Sequence, residues 1–150
     1  MKKNQDVKLY NVLFPLWMVM LFPLAWLVVL PGNFVIDSIV LIIGMFLFKV
    51  SEKKQFYKKH ILKIFAFGMV SDIVGAGFML LCFVVLSLGR MGDEWYITVP
   101  AIIISAALIF IFNYFITFKK EEKPLRLKMA LLFTIVTAPY TFLVPSGWLY

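Results

Sequence analysis

One cysteine and one histidine in 150 residues leave little room for the commonest site chemistries. Cys82 alone can form neither an internal disulfide nor a CxxC metal or redox pair, and its place in an apolar run reads as a packed thiol. His60 has no second histidine, no cysteine pair and no carboxylate three or four residues further on, so metal-ligand spacing is missing. It reads as a solvated histidine at a membrane interface. HExxH, GxSxG and Walker-type glycine loops are all lacking, and no two carboxylates are spaced to face one site. The glycines of Ser71-Asp72-Ile73-Val74-Gly75-Ala76-Gly77 fall inside an apolar run, where helix packing explains them better than phosphate binding does. An enzyme is therefore not expected, and the sequence assigns no catalytic residue, metal or cofactor.

Charge is scarce too. Charged residues make up 15% of the chain and apolar ones 63%, with a mean hydropathy of +0.94, against roughly 45 to 50% apolar content in soluble domains. Without lipid, that much apolar surface could not be buried. A bilayer core about 30 Å thick takes about 20 mostly apolar residues per helix. Five such runs can be drawn, over about residues 12–30, 34–50, 64–88, 97–118 and 129–149, and together they use nearly the whole chain. The expected fold class is all-α, a single polytopic membrane domain of five transmembrane helices; the alternative is four spans with the fifth run, which carries Pro139 and Pro145, as a re-entrant segment.

The opening Met1–Tyr10 followed by an apolar run has the look of a secretory signal. The run is longer than a signal core, contains Pro15 and Pro23 and lacks a small-residue cleavage site, so it reads as an uncleaved first span. Pro31-Gly32-Asn33 predicts a tight turn making spans one and two antiparallel neighbours, with Asn33 as the N-cap of the second. Lys49 can match the short second span to the membrane by extending its ammonium to the headgroups.

Orientation follows from Lys and Arg. Three lie in the N-terminal tail, six between spans two and three, and five between spans four and five; only Arg90 lies opposite. By the positive-inside rule the N-terminus and both basic loops are cytoplasmic and the C-terminus is outside, as in a bacterial-type cytoplasmic membrane. The net charge of +7 does not point to nucleic acid, because the lysines cluster in short loops beside spans. Membrane lipids, with anionic headgroups at those loops, are the expected partners.

Asp72 is the one ionisable residue well inside an apolar run. A bare carboxylate at that depth costs several kcal/mol, so it needs a proton, a partner or a cavity. Gly68, Ser71, Asp72, Gly75 and Ala76 recur at three- and four-residue intervals and form a stripe of small residues that lets another helix approach. Candidate polar partners are Asn113, which shares a face with Thr117, and Thr134, Thr137, Tyr140 and Thr141 on the last run, where Pro139 frees the carbonyl of Ile135. Three readings of Asp72 stay open: a residue fixing helix register, a proton or cation site, or a contact to a partner helix. The threonines have a plain alternative in bonding their own i−4 carbonyls. Asp37 falls in the first turns of the expected second helix, where it would cap the helix dipole at the outer surface or touch an outer ion or substrate, with Arg90 as a possible partner.

Taken together, these features predict a transporter, or the membrane subunit of a transport-related assembly, with Asp72, Asn113, Thr137, Tyr140 and Thr141 along its substrate or ion pathway. Five helices barely enclose a pathway, so a homo-oligomer or a larger membrane-protein partner is expected. The alternatives are a non-catalytic scaffold binding another membrane protein and, third, a lipid-modifying enzyme.

Overall fold

The computed structural model describes residues 23–86 and 95–143. They form four helices: α1 (Pro23–Leu47), α2 (Lys53–Leu80), α3 (Trp95–Phe112) and α4 (Lys123–Val136). Wider π turns extend α2 over Leu81–Val85 and α3 over Asn113–Thr117, closed by i→i+5 bonds from Leu86 N to Leu81 O at 3.0 Å and from Phe118 N to Asn113 O at 2.9 Å. A short 3₁₀ turn, Tyr140–Leu143, follows α4. Four helical stretches, Trp26–Leu47, Lys53–Val85, Trp95–Thr117 and Lys123–Leu143, are long and apolar enough to cross a membrane.

Two expectations about spans are corrected. The turn at Pro31-Gly32-Asn33 does not form, because α1 runs through all three residues. Pro31 forfeits one backbone hydrogen bond, whereas a turn in lipid would strand several peptide groups, so within a membrane the helix is the cheaper solution. The hairpin therefore disappears, and with it the basis for counting spans 12–30 and 34–50 separately; residues 12–22 lie outside the described residues. The last run is not one helix either. α4 stops at Val136, since Pro139 cannot donate to Ile135 and also disfavours helical geometry at Ala138.

The helices pack in a ring, α1 on α2, α2 on α3, α3 on α4 and α4 back on α1. Two apolar clusters fill it. One joins Leu41, Ile64, Ile109, Phe118, Met129 and Phe133 toward the lysine-rich end; the other joins Ala76, Met79, Cys82, Ile97, Ala101 and Phe142 toward the opposite end. Along α2 and α3 the buried Ser71, Asp72 and Ser105 fall between these clusters. Polar groups thus occupy the middle of the bundle, where helix-to-helix hydrogen bonds serve best. The large apolar side chains facing outward, Leu27, Val28, Ile103 and Ile135 among them, are those expected against lipid.

Two residues past the end of α1 stands Lys49, whose φ of 53° is the left-handed conformation that usually calls for glycine. Val50 N reaches back to Met45 O at 3.0 Å, completing a Schellman-type cap. A side chain held there costs ~1 kcal/mol or more. Lys49→Gly should therefore raise unfolding stability in detergent by about 1 kcal/mol; a drop would mean that the lysine's reach to the headgroups outweighs its backbone strain.

Candidate functional site

A cleft of about 220 Å³ opens between α1, α2 and the broken end of α4, and both aspartates of the described spans line it. Asp37 is 6% exposed and Asp72 8%. Asp37 lies 12 residues before Lys49, Asp72 nine after Lys63 and Thr137 nine after Lys128. At about 1.5 Å per residue, all three sit roughly 13 to 18 Å from the lysine-rich end, about halfway through a bilayer core.

Each wall has a local cause. On α2, Gly68 presents no side chain, so the space a Cβ would fill lies 3.7 Å from Asp37 Oδ2. Asn33, expected as a cap, instead donates from Nδ2 to Met69 Sδ at 3.2 Å beside the cleft. On the α4 side, Thr137, Ala138, Pro139, Tyr140 and Thr141 bring irregular backbone to the cleft. Non-helical backbone at membrane depth is tolerated where it lines a cavity. Tyr140 donates its hydroxyl to the Ile135 carbonyl at 2.6 Å, the acceptor left open by Pro139. Thr134 and Thr137 bond the carbonyls of Ala130 and Phe133, each at 2.8 Å, which is the plain alternative for threonines in a helix.

The grouping differs from the one expected from spacing. Asp37 is neither a dipole cap nor an outer-surface residue: α1 starts at Pro23, which puts Asp37 in mid-helix, buried and on the same cleft as Asp72. Two carboxylates do face one site. Arg90, its expected partner, lies outside the described residues. Asn113 is fully buried but does not line the cleft; it sits in the π turn of α3 nearer the lysine-rich end, with Thr117 one turn further on. Among the described residues, Asp72 Oδ1 is buried without a hydrogen-bond partner and no Lys or Arg lines the cleft. Its walls offer a positive charge two carboxylates and two threonines.

The small-residue stripe divides between two neighbours. Gly68 and Asp72 turn to the cleft, while Ser71 and Gly75 turn to α3, where Ser105 Oγ donates to the Ser71 carbonyl at 2.9 Å. Ala76 is fully buried in the second apolar cluster.

A second polar cluster, missed by local spacing, clamps the lysine-rich end. His60 is not solvated: it is fully buried, with ring centroids 4.4 Å from Phe56 and 5.0 Å from Phe118. Its Nε2 lies 3.0 Å from Glu121 Oε1, and Lys59 Nζ donates to the same oxygen at 2.6 Å. An ionised carboxylate can only accept, so Nε2 carries the hydrogen. Burial works against the Glu121 carboxylate, but the hydrogen bonds from Lys59 and His60 outweigh it and hold the group below the ordinary value of 4.5. The clamp ties the start of α2 to the loop before α4, so the two basic segments share one end of the bundle. Among the described residues no group of three or more His, Cys, Asp or Glu is placed to hold a metal ion.

No family model, no curated protein and no solved structure matches this chain.

Proposed function

We propose that this chain is a multi-pass membrane protein that binds a proton or small cation between Asp37 and Asp72, acting as a transporter or as the membrane subunit of a transport assembly. One observation carries the reading: two carboxylates share a cleft at about mid-membrane depth, and none of the described residues that line it is basic. Two bare negative charges so placed would be strongly disfavoured, and a proton or cation between them relieves both the repulsion and the loss of water. The broken end of α4 supports the same reading. Carbonyls at a helix C-terminus carry partial negative charge and favour cations.

In this reading Asp37 joins Asp72 as a binding residue, Thr137 and Thr141 offer neutral oxygens, and Tyr140 holds the break in shape. Asn113 drops out of the pathway. The direct test is flux: the purified chain in vesicles should move protons or an alkali cation down an imposed gradient, and vesicles no leakier than protein-free ones, with no cation binding to the protein, would end the proposal.

Orientation is proposed from charge. The shared end of the two basic segments faces the cytoplasm, of a bacterial-type inner membrane, and the opposite end faces out. Reporters at Lys54 and Lys123 should read cytoplasmic, and those at Gly92 and Tyr150 outside. An outside Lys123 would reverse the assignment.

A further inference from the structure

At the lysine-rich end, on the outer side of the α1–α2 pair, a second groove of about 490 Å³ is lined by Ile42, Met45 and Phe46 of α1 and by Tyr57 with Lys53, Lys54 and Lys58 of α2. We propose that it is a binding site for one anionic phospholipid, with an acyl chain along the apolar floor and the phosphate on the three lysines. It is independent of the aspartate cleft.

Three features select that occupant. The floor belongs to the last turns of a membrane-crossing helix: Ile42 and Phe46 lie seven and three residues before Lys49, roughly 5 to 10 Å inside the boundary. That is where a chain joins its headgroup. The floor is open, with Ile42 at 41% and Phe46 at 65% exposure. The rim is cationic by construction, because Lys54 and Lys58 are four residues apart on one face of α2, and Lys53 lies one turn before Tyr57 on the same side. Lys53 Nζ lies over the Phe46 ring, 4.7 Å from its centroid, so one of the three ammonium groups already rests against the floor. Among the described residues no carboxylate lines the groove, though Glu52 lines the adjoining cleft beside the same lysines, and none of the three lysines forms an ion pair; the nearby Lys59 is the one that pairs with Glu121. Three ammonium groups above an apolar trough match a phosphate carried on a hydrocarbon chain. A zwitterionic lipid fits less well, since its own cation would face the lysines.

The test is native mass spectrometry of the full chain with phosphatidylglycerol and phosphatidylcholine of identical acyl chains. Wild type should retain one phosphatidylglycerol in preference to phosphatidylcholine. Lys53→Gln with Lys54→Gln and Lys58→Gln should weaken retention at least about 10-fold, while Lys119→Gln with Lys120→Gln and Lys123→Gln should leave it unchanged. Ile42→Trp, which keeps every lysine and fills the floor, should also weaken it. Equal retention of the two lipids, equal loss from both lysine triples, or full retention in Ile42→Trp would overturn the site. So would a photocrosslinker at Phe46 that captures a protein or a second copy of the chain in membranes instead of lipid.

Discussion

Gly75→Leu is expected to prevent the bundle from closing, whereas Val84→Leu should be close to neutral. At Gly75, α2 and α3 approach closely. A Cβ built on it would overlap Ser105 Oγ and would meet Phe142 Cε2 at 3.0 Å and the Ala101 carbonyl at 3.2 Å. Two of these neighbours can give a little, but the carbonyl is backbone. Ser105 can turn away only by losing its hydrogen bond to the Ser71 carbonyl. Even Gly75→Ala should cost in the range of ~1 to 3 kcal/mol typical of overpacking, and four carbons of leucine exceed what rotation can absorb. Val84 is half-exposed and accepts one more carbon without displacing a helix. Unfolding in detergent, followed by thermal midpoint and by size exclusion, separates the two. Gly75→Ala combined with Ser105→Gly should recover part of the loss, because it removes the nearest obstruction. If Gly75→Leu is tolerated as well as Val84→Leu, the close crossing of α2 and α3 is not a feature of the folded protein.

That crossing was legible from the sequence because it depends on a local period. Ser71, Gly75 and Ala76 lie on one helical face whatever surrounds them, and small residues on such a face predict a close neighbour. The apolar runs and the basic segments were readable for the same reason, each being a property of a short window. At Pro139 the freed carbonyl of Ile135 is readable, because a proline's missing amide acts four residues back, whereas the end of α4 at Val136 is not.

The rest required knowing where a helix begins or which distant segments meet. Asp37 reads as a cap only if a span starts at Phe34; with α1 beginning at Pro23, the same residue is buried in mid-helix. Pro31-Gly32-Asn33 has the composition of a turn in water, but lipid penalises unpaired peptide groups more heavily than a single missing bond. His60 and Glu121 are 61 residues apart, so no spacing rule links them. The same holds for Asp37 and Asp72, whose pairing depends on how α1 leans against α2. The signal that could have been used was rarity: with few charges in the chain, two aspartates within apolar runs invite the question of whether they meet.

The aspartate pair supplies the most demanding expectation. Asp37→Asn and Asp72→Asn should each leave the bundle folded, because the amide keeps the carboxyl's volume and its place in the cleft, and should each abolish cation- or proton-driven flux in vesicles. The two losses should not add: if both carboxylates hold one charge, removing either destroys the site, and the double variant should behave like the single ones. Binding itself offers a second readout that needs no transport. A cation held only by the folded state, at about 100 times its Kd, stabilises that state by ~2.7 kcal/mol, so the unfolding midpoint of wild type should rise with the concentration of the recognised cation. In either asparagine variant it should stay flat. Thr134→Val, which loses only an intrahelical bond to Ala130 outside the cleft, should keep the wild-type response. Asp72→Leu should lose both responses and in addition lower the unfolding midpoint itself below that of Asp72→Asn, since it puts apolar bulk where the cleft now has polar space. A double asparagine variant that matches wild type in flux and in its cation-dependent midpoint would reduce Asp37 and Asp72 to packing residues, and the proposed site would fall with them.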